Sequence, residues 1–551
     1  MEFNFAELHD STVKAIPDRE AIVWRDRRLS FAEVGSRTRQ LARYLRQCGL
    51  GITTEREFLA GYESGQDHLA LYLYNGNEYI EGLLGAFKAR VAPVNVNYRY
   101  VEEELLYLFE NSACRGIIYH SAFAPQVEAV RKRFPQLEVL IQVADDSGNG
   151  LLEGAVEYEA ALASVSDEVL RLAYSPDDLY MLYTGGTTGM PKGVLWRSAD
   201  IFVAAMKGEK LDGAEYESYE EIFDAVSNSS PSSFLLAPPL MHGAAQWASI
   251  SSMVMGVTLV LPDNNEKLDP HDYLLTAERE RCFLLSIVGD AFAVPILDQL
   301  SKQNYDLDSV LVVGSGGAPL STVNKNAFLE KLPNIIIMDS IGSSESGVQA
   351  SNMSTKQAPV TTGDFKPSKG ARILGDQLDC VLSPSLREAA DEEVGWFAQR
   401  GRAPLGYLGD AEKTARTFPV VDGVRYSVPG DRARFLPDGS IEVLGRDSVT
   451  INSGGEKIFA EEVEAALKQH GDVYDTVVAG RPSQRWGEEV VAIVRLREGA
   501  SATDADLLAE AGKHIAAYKL PKQILYRAEI QRSPSGKADY RWAKEQAKGS
   551  G

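Results

Sequence analysis

Cysteine and histidine are scarce in this chain. Among 551 residues there are four cysteines and seven histidines. The cysteines, Cys48, Cys114, Cys282 and Cys380, lie far apart and form no CxxC pair. That spacing speaks against a zinc site or a dithiol redox motif, and it predicts a reduced protein of the cytoplasm. Positive charge is also short. Fifty-six Lys and Arg stand against 78 Asp and Glu, a net charge of −22. Phosphate backbones demand a basic surface, so no nucleic acid is expected as partner. An anionic substrate must be met by local cations, not by the field of the whole molecule. Long apolar runs are missing too. The most apolar region, 232–262, is broken by Pro238, Pro239, His242 and Gln246, so no transmembrane segment is expected. The opening MEFNFAELHD is acidic and lacks the basic-then-apolar order of a signal peptide. There is no internal repeat and no low-complexity tract.

What is present is the texture of a large α/β protein. The length exceeds one ordinary core, so at least two domains are expected. HLALYLYN (68–75) reads as a buried strand, EYIEGLLGAFKAR (78–90) as a helix and APVNVN (92–97) as the next strand. This βαβ pattern returns near 116, 283 and 310, which predicts largely parallel sheets. After about residue 375, Asp-Gly pairs at 422–423 and 438–439 sit between short alternating runs and predict β-hairpins. Beyond Arg446 the pattern is compact and αβ again. FAEEVEAALKQH places Phe459, Val463 and Leu467 on one helical face, and DTVVAGRP and EVVAIVRL read as strands. The boundary is expected at Arg446–Ser448, giving a body of 1–446 and a C-terminal domain of 447–551. The polar, acidic stretch 207–233 reads as a surface insertion or lid, with a plain solvated excursion the simpler of the two.

The chemistry concentrates in YTGGTTGMPKGV, from Tyr183 to Val194. Glycines let backbone N–H groups converge on an anion, the threonines add hydroxyl donors, and Lys192 adds a point charge. The loop is not a Walker A motif: Pro191 precedes the lysine and Gly193 follows it, where glycine and Ser/Thr are required. VGSGGAPLS (313–321) is not a dinucleotide fingerprint either, because Pro319 takes the place of the last glycine. The flanks LYMLY and GVLWR read as two strands, so the loop would close a strand-to-strand turn.

YTGGTTGMPKGV resembles the signature of the adenylate-forming superfamily, with Gly185 where serine is usual. Further segments resemble that family in order: PLMHGAAQW (239–247), GSGGAPLS (314–321), SIGSSESG (340–347), YSVPGDRARF (426–435), GRDSVTINSGGEKIFAEEVE (445–464) and SPSGKADYR (533–541). Within it the chain looks most like bacterial fatty-acid and steroid-side-chain CoA ligases of the actinobacterial type. The resemblance implies a body of two αβ sheets plus a β-rich barrel-like part, and a small mobile α+β C-terminal domain. It implies two steps: a carboxylate attacks the α-phosphorus of ATP and displaces pyrophosphate, then the thiolate of coenzyme A attacks the acyl carbon and displaces AMP.

The resemblance also assigns roles. Thr184, Gly185, Gly186, Thr187, Thr188, Gly189 and Lys192 would hold phosphates. Gly316, Gly317, Ala318, Pro319, Ser340, Ile341, Gly342, Ser343 and Ser344 would face the adenine side, Ile341 replacing an aromatic. Glu345, with Thr184, would hold Mg²⁺. Asp431 would bind the ribose hydroxyls and Arg446 the ribose or phosphate. Lys537 would bridge the carboxylate and the α-phosphate, lowering their repulsion. His242 would orient substrate or sense the adenylate. His242, Gly243, Gln246, Trp247, Val313, Gly314, Ser315, Ile341 and Gly342 would line the acyl pocket, with room for a bulky or long apolar acid and no charged partner for an amino acid. Gly454, Gly455 and Glu456 would face the pantetheine arm. Ser448 would be the pivot between steps, and Arg481, Arg485, Lys519 and Lys522 are weaker candidates for coenzyme A phosphates. The partners expected are therefore a carboxylic acid, ATP with Mg²⁺, and coenzyme A, and the family leaves room for a homodimer. Two other readings stay open: an acyl-adenylate ligase that loads a carrier protein, and a non-catalytic nucleotide or lipid binder.

Overall fold

A computed structural model of the chain describes residues 1–184, 190–210, 212–358, 365–375, 392–453, 456–533 and 536–549. Two sheets with parallel cores form most of the body. One has nine strands, ordered Lys366–Pro367, Gly347–Ser354, Ile336–Ser343, Val312–Gly316, Leu284–Ile287, Ser233–Leu236, Thr258–Leu261, Glu20–Trp24 and Arg27–Ser30. The five from Ile336–Ser343 to Thr258–Leu261 run parallel, as alternating strands and crossover helices require. The other sheet has five strands and is parallel throughout, with His68–Tyr72 between Ala92–Asn95 and Cys114–His120.

The helix Asn77–Ala89 is the crossover of the expected βαβ unit and is buried all round. Its glycines make that possible. A Cβ on Gly82 would lie 2.8 Å from Leu71, and one on Gly85 would lie 2.6 Å from Leu41 of the helix Phe31–Gln47. That neighbouring helix begins with a full capping box from Ser30 and Glu33, the local signal that fixes its start.

A six-stranded, mostly antiparallel sheet follows. The Asp-Gly turns fall where expected: Asp422 and Gly423 both take positive φ between Val420–Val421 and Val424–Ser427, as a two-residue hairpin of that hand requires. Gly439 turns the chain between Asp431–Phe435 and Ile441–Arg446.

The small C-terminal domain has its own five-stranded sheet. Val473–Ser483 and Gly487–Leu496 form its long hairpin, and Gln523–Tyr526 joins in parallel. The helix of FAEEVEAALKQH is Ala460–Leu467, with Phe459 as its N-cap, not its first face residue. Val463 and Leu467 point into a core shared with Val478, Val490 and Val494. The stretch 207–233 is not solvated throughout: its helix Tyr219–Ser227 buries Ile222 and Val226. Among the described residues no helix is long and apolar enough to cross a membrane.

Candidate active site

The strands on either side of the glycine-rich segment pair as its flanks suggest. Leu179–Thr184 and Lys192–Arg197 are antiparallel, with Thr184 opposite Lys192. Gly185, Gly186, Thr187, Thr188 and Gly189 lie outside the described residues. A third strand, Gly406–Tyr407, pairs with the lysine strand and sets Tyr407 opposite Val194. This register assembles a cluster that the sequence did not disclose. Lys192 Nζ donates to Asp410 Oδ2 at 2.7 Å. Lys192 and Lys413 both sit over the Tyr407 ring, at 5.7 and 4.6 Å. The Tyr407 hydroxyl donates to Glu345 Oε1 at 3.0 Å, and Ser427 Oγ donates to the Glu345 carbonyl at 2.5 Å. Glu345 is thus buried and held at one carboxylate oxygen. Burial, then the charge of Lys192, lowers the Lys413 pKa, while the hydrogen bond from Lys192 lowers that of Asp410. Two lysines beside one another, with Asp410 paired to one of them, make a place for a polyanion.

On the adenine side, Val312–Gly316 and Ile336–Ser343 run parallel with Gly316 opposite Ser340. The carboxyl ends of parallel strands are where open α/β sheets receive ligands. Gly314, Ser315, Gly316, Gly317, Ser340, Ile341, Gly342, Ser343 and Ser344 line a cavity of ≈1900 Å³ there, together with Thr184, His242, Gly243, Trp247 and Lys537. Gly342 is obligatory, since a Cβ would lie 2.1 Å from the carbonyl of Gly347. Ala318 and Pro319 are not part of this lining; their carbonyls instead press on Gly289, where a Cβ would lie within 2.7 Å of both.

Two expected pocket residues are corrected. Gln246 does not line the cavity: its amide donates to Leu240 O at 2.9 Å and Tyr79 Oη at 3.2 Å, and accepts from Tyr180 at 2.8 Å. It is a core group on the helix Gly243–Met255, and the next residue, Trp247, faces the cavity instead. Val313 is likewise fully buried in its strand. The apolar side of the cavity is made by Phe234, Trp247, Met255, Phe283, Leu284 and Met338, and Lys207, Gly213 and Tyr216 of the 207–233 stretch also reach it. Single-ligand pockets run to roughly 300–1,000 Å³, so this space can take a nucleotide and an acid side by side.

Asp431 and Arg446 are cross-strand partners, with Arg446 Nε 3.2 Å from Asp431 Oδ1. The carboxylate beside it raises the Arg446 pKa. Behind them, Gly445 has φ +119°, and Glu461 of the small domain occupies the space a side chain there would fill. Arg446 N–H donates to Glu461 Oε2 at 3.2 Å. Ser448 is exposed, in the short turn Asp447–Val449.

Lys537 reaches this cavity from the small domain. It is open to the cavity solvent yet walled by protein beyond it. Burial first, then the Arg446 charge, lowers its pKa, against Glu345 and Asp431. Gly536 before it has φ +73°, and a Cβ there would lie 2.8 Å from Ala291 Cβ of the large body. Burial, then Lys537 and Arg99, lowers the pKa of His242 to about 3. Such an imidazole is neutral at pH 7 and too weak a base to hold a proton there.

The coenzyme A candidates are scattered. Gly454 and Gly455 lie outside the described residues. Glu456 is exposed on the strand Glu456–Ile458. Arg481 is engaged by Glu489 and Gln523, Lys519 by Glu462, and Arg485 lies over the Trp486 ring.

The magnesium expectation fits the donor chemistry. Mg²⁺ bound through one or two carboxylates and substrate phosphates needs no protein cage, and Glu345 offers a hard carboxylate oxygen beside the phosphate hairpin. Among the described residues no group of three His, Cys, Asp or Glu could hold a metal by itself.

Known proteins share this architecture. The family model "AMP-binding enzyme" matches residues 10–402, and "AMP-binding enzyme C-terminal domain" matches 462–537. The chain is 52% identical to the medium-chain acyl-CoA ligase Mig of Mycobacterium avium, over 99% of this chain and 98% of that protein. It is 37% identical to the 3-oxocholest-4-en-26-oate–CoA ligase of Rhodococcus rhodochrous, over 99% and 96%. In fold it is similar to the anthranilate CoA ligase AuaEII solved with anthranoyl-AMP, with a TM-score of 0.83 at 20% identity over 100% and 98% of the two chains. It is also similar to ATP-bound MatB from Rhodopseudomonas palustris, with a TM-score of 0.80 at 20% identity over 99% of both. With a family model covering most of its length and relatives aligned end to end, the chain belongs to the AMP-binding enzyme family.

Proposed function

We propose that this chain activates a medium- to long-chain fatty acid or a steroid side-chain acid with Mg-ATP and transfers it to coenzyme A. The chain is an AMP-forming acyl-CoA ligase, as its family and its full-length relatives indicate. The finer reading rests above all on one observation: Lys537 of the small domain enters a cavity whose other walls carry the expected adenine-side residues, with Glu345, Asp431 and Arg446 close enough to act on its charge. In the first step a carboxylate oxygen bonds to the α-phosphorus and the bond to pyrophosphate breaks. Both reactants are anions, so a fixed cation between them lowers the barrier most. A bound carboxylate and phosphate favour the charged ammonium, reversing the depression seen in the free site. Lys192 and Lys413 receive the departing pyrophosphate, Asp431 and Arg446 hold the ribose, and Glu345 with Thr184 would hold Mg²⁺. The metal, when bound, neutralises phosphate charge. In the second step the coenzyme A thiolate bonds to the acyl carbon and AMP leaves; Gly454, Gly455 and Glu456 would flank its arm, with Ser448 as pivot. The apolar cavity wall supports a large hydrophobic acid. A domain boundary at 446/447 and a cytoplasmic setting complete the proposal; Cys48, Cys114 and Cys282 are free thiols.

The test is AMP release from Mg-ATP with acids ranging from short fatty acids to steroid side-chain acids, with and without coenzyme A. Coenzyme A-dependent release with an apolar acid is expected. Adenylate that accumulates without thioester would favour carrier loading, and no turnover of any acid would favour a binding protein.

A further inference from the structure

The lysine loop is tied to the large body by a chain of four side chains. Asp290, second residue of the helix Gly289–Lys302, belongs to the body, and its N–H donates to Pro319 O at 3.0 Å, in the adenine-side segment. Its Oδ1 accepts from Ser321 N and Asn324 Nδ2, each at 2.8 Å. Its Oδ2 accepts from Lys468 Nζ at 3.0 Å, across the domain boundary. Lys468 also lies 3.6 Å from Asp475 Oδ1. Asp475 takes a two-pronged bond from Arg532, Nε and Nη2 each at 2.6 Å. Arg532 Nη1 then donates to Gly536 O at 3.0 Å, one residue before Lys537. All four side chains are largely buried.

This is not ordinary surface pairing. Burial disfavours the Lys468 charge, but Asp290 and Asp475 outweigh it and raise its pKa. Burial likewise pushes Asp290 and Asp475 up, and their cations bring both below the usual carboxylate range. Removing one member strands a buried charge, so the network favours one geometry strongly over others. That geometry sets the Lys537 backbone relative to the Ala318–Pro319 segment. A displacement of about 1 Å in a reacting group costs about 10²-fold in rate.

We propose that Asp290, Lys468, Asp475 and Arg532 form an interdomain relay that positions Lys537 for adenylate formation and has no part in thioester formation. The inference rests on the proposed role of Lys537 in the first step. Asp290 and Lys468 are positioning residues, since neither touches substrate.

The two half-reactions separate this role from general stability. Full-length enzyme is assayed for acid-dependent pyrophosphate–ATP exchange, and separately for thioester formation from a chemically prepared acyl-adenylate and coenzyme A. Asp290→Asn and Lys468→Met should slow exchange about 10²-fold and leave thioester formation unchanged. Lys468→Arg should restore most of the exchange. Arg497→Ala breaks a second interdomain pair, to Asp298 at 3.3 Å with both side chains about 40% exposed, and should change neither step. Equal slowing of both steps, or no slowing of exchange, overturns the relay. Should Asp290→Asn fail to fold, the contrast between Lys468→Met and Lys468→Arg decides. Lys537→Ala tests the underlying reading separately: if it retains full exchange, that reading fails whatever the relay variants do.

Discussion

Asp431 stands on a strand of the large body and Glu345 in the tight turn that joins the paired strands Ile336–Ser343 and Gly347–Ser354, whereas Lys537 sits in a loop of the small domain, between Ser533 and the helix Tyr540–Lys548. Both body groups are fixed by the register of paired strands. Asp431 faces Arg446 because their strands pair, and Glu345 is pinned by Tyr407 because Gly406–Tyr407 pairs with the phosphate hairpin. The loop-borne lysine has only a local tie, Ser533 N–H donating to its carbonyl at 2.8 Å and its own N–H donating to Ser533 Oγ at 3.2 Å, and among the described residues no strand of the body pairs with it. Its place depends on Gly536 lying flat against Ala291 and on ion pairs that cross between domains. The difference separates two jobs. On the proposed function, the body binds the nucleotide and the small domain delivers one charge to the reacting atoms. Rigid sheets suit binding, and a detachable loop suits a charge needed in one step only.

The sharpest way to break this comparison is Lys537→Ala. If the body binds and the loop reacts, acid-dependent pyrophosphate exchange should fall by about 10²–10³-fold, the loss typical of removing one preorganised stabilising group. ATP affinity, measured by calorimetry, should change little. A large loss of ATP affinity would mean that the loop is part of the binding site and that the division of labour is wrong.

A smaller effect is expected from Gly536→Ala, which keeps the lysine and disturbs only its seat. The residue must hold φ +73°, and its new Cβ would meet Ala291 Cβ at 2.8 Å. A left-handed residue with a side chain costs about 1–2 kcal/mol, about tenfold in exchange rate if the cost falls on the closed arrangement. Gly439→Ala serves as the strand-side counterpart. Gly439 also has positive φ but nothing within 4 Å, so its substitution should lower the unfolding midpoint and spare the exchange rate.

The same contrast explains what the sequence could disclose. Segments whose backbone must approach a ligand carry glycines and short polar residues in a fixed order, so 183–194, 314–321 and 340–347 were readable as segments of a candidate site. The hairpin turns at 422–423 and 438–439 were readable because Asp-Gly is nearly all that such turns accept. Tyr407, Asp410 and Lys413 were not, since they matter only once a third strand joins the phosphate hairpin, some 200 residues away in the chain. Asp290 and Lys468 were invisible for the same reason, being 178 residues apart. Gln246 was misplaced for a different one. On the helix Gly243–Met255 the cavity takes Trp247, Ala248 and Ser251, while Gln246 turns to the opposite side, where its amide found three partners in the core.

The smallest effect concerns the seam between the two regions, and it has a pH sign. Glu461 fills the space above Gly445 and accepts the Arg446 N–H. Burial, then the charges of Glu464 and Asp431, raises its pKa to about 8, against the pull of Arg446. A carboxyl raised in the fold is bound more tightly to its proton there than in the unfolded chain. Its contribution is therefore fully present below the ordinary value of 4.5 and is lost as pH rises through about 8. Glu464, three residues on along the same helix face and raised to about 7, titrates in the same window, so the wild-type slope belongs to both. Glu461→Gln keeps the acceptor and abolishes only its own titration. The thermal midpoint of wild type should fall from pH 5 to pH 8.5, and the variant should fall less, with the two curves diverging towards high pH. If the curves stay parallel, Glu461 is ionised throughout, and the seam between body and small domain is held by charge, like the relay behind Lys537, and not by a protonated carboxyl.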